Sequence, residues 1–177
     1  MPNIIYYVAT SLDGFIAGDE DDVSRFAQSG NGVDKYLKDL QDFNTVIMGR
    51  RTYEFGYQFG LQPGQPAYPH MEHYIFSDSM QLENCAENVH VVARDLDKVR
   101  EIREQSPTDV YLCGGGVFAG WLLDHGLVDQ LKLKVNPITL GGGIRLFGES
   151  TTQTNWELVQ AERFEQGLQI LTYDYKS

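Results

Sequence analysis

The segment VIMGRRTYE, Val46–Glu54, passes from a short apolar run through a polar turn into residues of helical character. The run from Thr45 to Met48 is too short for a helix and rich in strand-forming residues, so it predicts a buried strand. Gly49-Arg50-Arg51-Thr52 follows, where a helix N-terminus in an open α/β sheet offers free N–H groups to a phosphate. The two arginines add planar guanidinium groups, whose N–H donors match the oxygens of a phosphate. A solvated arginine pair at a turn is the alternative interpretation.

A second junction of this kind is CGGGV, Cys113–Val117. Three consecutive glycines, Gly114, Gly115 and Gly116, let the backbone approach a pyrophosphate and adopt positive φ. The run is not a GxGxxG fingerprint, and tight turns also use glycine. Because two phosphate-capable strand ends occur in one small chain, we favour a dinucleotide that lies across both. A later run, Gly141–Gly143, follows a strand without a helix and predicts a bend.

Strands and helices alternate along the rest of the chain. Asp95 can cap a helix on the N-terminal side of the second junction, and an apolar helix face follows the third glycine. Strands separated by helices predict βαβ crossovers and a largely parallel sheet. Near the C-terminus, Trp156–Glu165 and Leu168–Tyr175 flank a Gln-Gly turn and predict an antiparallel hairpin. We therefore expect an α/β fold of about eight strands, mostly parallel, and about four helices, with that hairpin at its end. The remaining short runs of strand character are Ile4–Ala9, Tyr74–Ser77, Val89–Val92, Val110–Cys113 and Leu131–Val135.

Length and charge limit the function classes. The chain has 177 residues and a formal net charge of -11, which favours one domain over residues 1–177 and argues against binding to nucleic acid or to an anionic membrane. No apolar run reaches the length of a membrane span, and the N-terminus lacks the pattern of a signal peptide. The two cysteines and four histidines have no metal-ligand spacing, so no metal is expected. We expect a cytoplasmic protein.

One candidate carboxylate comes from a helical pattern. Tyr36, Leu37, Leu40 and Phe43 have helical spacing within residues 34–43. Asp34 lies three residues before Leu37 and is expected on the same side. This interpretation turns Asp34 toward the edge of the core.

Taken in order, four motifs resemble the dihydrofolate reductase superfamily over nearly the whole chain. They are SLDGFIA (Ser11–Ala17), VIMGRRTYE, LCGGGVFAGWLL, and GLVDQL with LGGG. The first and the last are most similar to the riboflavin-biosynthesis branch, the reductase half of bifunctional deaminase-reductases. The resemblance implies a dihydrofolate reductase-like fold and an NADPH-dependent reductase. Its substrate would be a small molecule such as a ribosylamino-pyrimidine phosphate, and a homodimer is also an expectation.

The resemblance also assigns the NADPH contacts by position. Ser77 and Arg94 match a hydroxyl and a basic residue beside the adenosine 2′-phosphate, which implies a preference for NADPH over NADH. For Ala9 and Ile16, which the resemblance matches to residues that line the nicotinamide, core packing is the alternative interpretation. The other matches are the phosphate-holding turn Gly49, Arg50, Arg51 and Thr52, the pyrophosphate glycines Gly114, Gly115 and Gly116, and the nicotinamide-lining Ala9 and Ile16.

For the substrate, the resemblance matches Asp34, within one residue of register, to the carboxylate that hydrogen-bonds a pterin. Two departures count against folate. Gly30–Val33 replaces the Pro-Trp lead-in, and Gln65 replaces the arginine that would grip the folate tail. Asp13 is the other candidate active-site carboxylate, although Asp-Gly is also a good turn pair. The alternatives to a riboflavin-type reductase are a dihydrofolate or pterin reductase and a catalytically silent NADPH-binding module.

Overall fold

The computed structural model describes residues 1–177 and has an eight-stranded sheet at its centre. The strands of this sheet are β1 (Ile4–Thr10), β3 (Thr45–Gly49), β4 (Glu72–Phe76), β5 (Val89–Val92), β6 (Val110–Gly114), β7 (Gln130–Val135), β9 (Asn155–Arg163) and β10 (Gln169–Lys176). Their spatial order is β5-β4-β3-β6-β1-β7-β10-β9. Two further short strands, β2 (Phe15–Ala17) and β8 (Ile144–Arg145), pair with each other in an antiparallel sheet.

Strand directions follow the prediction. Neighbours from β5 to β7 run parallel, whereas β10 is antiparallel to both β7 and β9. The mostly parallel sheet and the C-terminal hairpin are therefore confirmed. The two-stranded sheet was not predicted, because its strands are only three and two residues long.

Four α-helices cover the sheet: α1 (Asn31–Leu40), α2 (Arg50–Phe55), α3 (Leu96–Gln105) and α4 (Gly116–Asp124). As predicted, the Asp95 side chain caps α3 by accepting from the Asp97 N–H at 2.9 Å. Successive side chains of β1 point to opposite faces of the sheet, so they pack in two different hydrophobic cores. Tyr6 packs with Val99 of α3 on one face, and Tyr7 packs with Leu40 of α1 on the other. None of these helices is long and apolar enough to cross a membrane.

The start of α1 differs from the prediction. The helix begins at Asn31, three residues before the expected start, and its first turn lies against the C-terminal hairpin. A Cβ on Gly32 would meet Leu168 Cδ2 at 2.1 Å. At about 100° per residue, Asp34 is then about 200° from the buried Gly32. Asp34 is therefore exposed, and its predicted orientation toward the core edge is wrong.

Candidate active site

A cleft of about 790 Å³ opens at the carboxyl ends of β1, β3 and β6. Both predicted junctions meet there, since β3 and β6 are parallel neighbours and Met48 is in register with Gly114. A smaller cavity of about 480 Å³ lies near the amino ends of β3 and β4 and contains none of the predicted site residues. The predicted residues that line the larger cleft are Ala9, Ile16, Gly49, Arg50, Arg51, Thr52, Ser77, Arg94, Gly115 and Gly116.

The arginine pair lies at the rim of the cleft. Arg50 Nε donates to Glu54 Oε1 at 2.7 Å, and Arg51 Nη2 lies 3.2 Å from Asp21 Oδ1. Both side chains are exposed, so each keeps further N–H donors free for a ligand. Arg50 and Arg51 are therefore solvated and also line the cleft, so both interpretations made from the sequence describe the same arrangement.

Arg94 is a third cation of the cleft and forms no ion pair. Its Cζ lies 4.7 Å from the centre of the Trp121 ring, and its backbone N–H donates to Asp78 Oδ1 at 3.0 Å. Nearby, Ser77 Oγ accepts from the N–H of Met80 at 3.0 Å. Stacking on Trp121 holds the guanidinium while leaving its donors free, which suits an anionic oxygen.

The glycine run brings the two junctions into contact. A Cβ on Gly115 would lie 2.9 Å from Thr52 Oγ1 at the start of α2. Gly115 also precedes α4, and no side chain caps that helix. Gly116 is a glycine for a different reason, because its Cβ would meet the Arg145 carbonyl oxygen at 2.2 Å. Gly114 lies outside the cleft lining and has a φ of +134°, a value that L side chains rarely adopt.

The other half of the cleft is lined by tyrosines. The Tyr36 and Tyr111 hydroxyls are 2.6 Å apart, and the Tyr68 hydroxyl lies 3.6 Å from Cys113 Sγ. Burial raises the pKa of these three tyrosines and of Cys113, so all four groups are neutral near pH 7. This end of the cleft therefore combines flat apolar rings with neutral hydrogen-bonding groups.

Lys134 is the one ionisable cation of the tyrosine-lined half. It is in register with Ala9, is 7% exposed, and its Nζ lies 4.3 Å from the centre of the Tyr36 ring. Its ammonium makes no hydrogen bond and no ion pair with the protein. Burial lowers its pKa to about 8. The acidic residues of the cleft, Asp21 and Asp78, contact Arg51 and the backbone of Arg94 instead.

The chain matches the family model of the RibD C-terminal domain over residues 2–170. It belongs to the RibD C-terminal domain family. The resemblance found in the sequence is thereby confirmed. Among curated proteins, this RibD-family domain is 28% identical over 172 residues to the uncharacterized protein YwjB of Bacillus subtilis (strain 168), covering 94% of each chain.

Solved structures show the fold of the RibD-family domain. A Shewanella sp. PV-4 protein provisionally assigned to riboflavin biosynthesis has a TM-score of 0.80, 24% identity and 99% coverage of both chains. The deaminase/5-amino-6-(5-phosphoribosylamino)uracil reductase of Thermotoga maritima has a TM-score of 0.70 and 15% identity, over 99% of this chain and 57% of that one. Enterococcus faecalis dihydrofolate reductase, in complex with NADP(H) and RAB-propyl, has a TM-score of 0.71 and 19% identity, over 99% and 97%. The dihydrofolate reductase-like α/β fold is confirmed.

Both predicted catalytic carboxylates of the RibD-family domain lie outside the cleft lining. Asp34 is exposed on the outer side of α1. Asp13 accepts from Ser11 Oγ at 2.6 Å and from the Gly141 N–H at 2.8 Å, and these bonds lower its pKa to about 2. It thus anchors the loop that contains Gly141–Gly143, which is irregular as predicted. The hydrogen bonds of Asp13 give it a structural role, and its catalytic role stays a prediction.

Sequence reasoning missed the tyrosine-lined half of the site. Tyr111 and Cys113 are two residues apart on β6, and Lys132 and Lys134 are two residues apart on β7, so each pair shares one face of its strand. This two-residue period was the part of the site that the sequence could have indicated. Which face of each strand meets the cleft follows only from the sheet order. The same holds for Tyr36, whose orientation depends on where α1 begins.

Proposed function

We propose that this domain is an NADPH-dependent reductase that transfers a hydride to a pyrimidine-like substrate such as 5-amino-6-(5-phosphoribosylamino)uracil. One observation carries the proposal. The two strand-to-helix junctions and the three arginines Arg50, Arg51 and Arg94 line the same cleft as the tyrosine-rich half. Membership of the RibD C-terminal domain family supports a reductase, and one structural relative is named as a reductase of that uracil derivative.

The residues of the cleft fit NADPH. The nine-residue helix α4 begins beside the cleft without a side-chain cap, so its first N–H groups are free for a pyrophosphate. Gly115 lies so close to Thr52 that a side chain there would fill the space between the junctions. Arg94 and Ser77 supply donors for a further phosphate, which favours NADPH over NADH.

The chain would contribute orientation and a dry site. When bound, NADPH supplies the hydride. Ala9 and Ile16 line the cleft and would support the flat nicotinamide ring, and the neutral tyrosines on the other side would enclose a second ring. Enclosure of both rings excludes water and keeps the reacting carbon close to the hydride donor.

The pterin alternative loses its main support, because it required a carboxylate beside the substrate ring. Asp34 is exposed, and no carboxylate lies in the tyrosine-lined half. A silent NADPH-binding module is the remaining alternative and differs from the proposal only in turnover.

The test is turnover with purified protein. With NADPH and 5-amino-6-(5-phosphoribosylamino)uracil, we expect loss of the reduced-nicotinamide absorbance and formation of the ribityl product, detected by mass spectrometry. Dihydrofolate serves as the comparison substrate and should give no turnover. NADPH binding without turnover of either compound would identify the silent module, and faster turnover of dihydrofolate would identify the pterin reductase.

A further inference from the structure

The structure contains one largely buried lysine whose ammonium reaches the cleft and has no partner in the protein. Lys134 is 7% exposed, yet its Nζ makes no hydrogen bond or ion pair with the protein. Two other lysines on this side of the sheet, Lys35 and Lys132, both pair with Asp39. Buried charges in proteins are normally paired, because the loss of hydration is costly. A group on a ligand would complete this site.

The surroundings of Lys134 exclude an internal partner. Its register neighbours on β1 and β10 are the apolar Ala9 and Ile170. From α1 it meets the face of the Tyr36 ring, whose hydroxyl is already bonded to Tyr111. The ammonium therefore keeps its donors free beside the space where a substrate ring would lie.

The strand of Lys134 leads into neither of the two junctions. Its strand, β7, is separated from β6 by β1 and from β3 by both β6 and β1. Neighbouring strands are about 4.8 Å apart, so the strands that lead into the two junctions lie about 10 and 14 Å from β7. Its register neighbour Ala9 instead places it beside the expected nicotinamide.

We propose that Lys134 Nζ binds a carbonyl or anionic oxygen of the substrate, so that the domain selects an oxo-substituted ring, such as a pyrimidinedione, over an amino-substituted cationic ring. This proposal rests on the proposed function and adds a substrate class to it. A charged donor without a protein partner favours an oxygen acceptor on the ligand. It repels a protonated diaminopyrimidine, so it also discriminates between ring types.

Calorimetric binding tests this assignment without turnover. The probes are 5-amino-6-(5-phosphoribosylamino)uracil and 2,4-diaminopyrimidine, each added to protein saturated with NADP⁺. In Lys134→Met the affinity for the uracil compound should fall about 10- to 100-fold, as expected for a lost charge-assisted hydrogen bond. Preference for the uracil compound over the diaminopyrimidine should shrink with it. Lys132→Met, on the same strand and outside the cleft lining, should keep the wild-type affinity.

A second readout is the NMR signal of Lys134 in reductively ¹³C-methylated protein, assigned by its absence from Lys134→Met. It should shift when the uracil compound is added. The proposal is overturned if Lys134→Met binds that compound as tightly as the wild type does, if the wild type does not bind it, or if the signal does not move. Absence of turnover, with uracil binding still dependent on Lys134, would overturn the proposed function alone.

Discussion

Lys134 Nζ lies 4.3 Å from the centre of the Tyr36 ring, and two residues earlier Lys132 Nζ lies 4.7 Å from the centre of the Tyr7 ring. The two lysines thus lie on the same face of the same strand, and each packs on the ring of a tyrosine. Only Lys132 has a carboxylate partner: its Nζ is 3.1 Å from Asp39 Oδ2, whereas Lys134 has none. The unpaired member of this matched pair is the one that faces the cleft.

Removing the charge of Lys134 should stabilise the protein. Its pKa in the folded state, about 8, lies below the ordinary value of 10.5, so the unfolded chain binds this proton more tightly. The penalty is fully present below pH 8 and disappears as the pH rises toward 10.5, while the neighbouring Tyr36 stays neutral because burial raises its pKa. We expect Lys134→Met to raise the free energy of unfolding at pH 7 by roughly 1 to 3 kcal/mol. Urea unfolding between pH 6 and 10 measures this, and a variant less stable than wild type at pH 7 would contradict it.

Arg94→Ala should weaken NADPH binding without affecting NADH binding. The guanidinium is held on Trp121 and forms no ion pair, so its donors are available to a 2′-phosphate. Loss of a charge-assisted contact corresponds to roughly 1.5 to 3 kcal/mol. Fluorescence titration gives both affinities. Arg100→Ala on α3, outside the cleft lining, is the control. Equal loss of NADPH and NADH affinity would contradict a role at the 2′-phosphate.

Asp13→Asn should loosen the loop around Gly141. The Asp13 carboxylate accepts from the N–H groups of Leu140 and Gly141. Because its pKa is lowered to about 2, its stabilising effect is present above about pH 4 and is lost as the pH falls toward 2. Hydrogen exchange at Leu140 and Gly141 should be faster in the variant at pH 7. Unchanged exchange would mean that these bonds do not hold the loop.

Asp34→Asn should leave substrate binding and turnover at wild-type levels. The side chain is exposed on α1 and lies outside the cleft lining. Steady-state kinetics with the uracil compound would detect any effect. A large fall in kcat would return Asp34 to the active site and require a different orientation of α1.

Gly116→Ala should destabilise the fold. The new Cβ would lie 2.2 Å from the backbone oxygen of Arg145, so α4 or the segment around β8 must shift. Overpacking of this kind costs roughly 1 to 3 kcal/mol. Gly142→Ala is a matched control, because nothing lies within 4 Å of its Cβ position. Thermal unfolding of both variants tests this prediction. Equal melting temperatures would contradict a clash between a side chain at position 116 and the backbone of Arg145.

The half of the cleft that we propose for the cofactor was predictable from sequence, because each junction is a continuous motif. Gly49-Arg50-Arg51-Thr52 and Gly114-Gly115-Gly116 each join a strand to a helix, and the alternation of elements places both at one sheet edge. The tyrosine-lined half was not predictable in this way. Tyr36, Tyr111 and Lys134 come from three different elements and meet only through the sheet order. The error at Asp34 has the same origin, because Gly32 packs on Leu168, which is distant in the sequence.

A paired equilibrium titration of the wild-type protein with NADPH and NADH tests whether this cleft binds a phosphorylated nicotinamide cofactor, and it needs no assumption about the substrate. We expect saturable NADPH binding and NADH binding at least about tenfold weaker, because Arg94 and Ser77 favour an additional phosphate. Binding of neither nucleotide would contradict the claim that this cleft is a cofactor site.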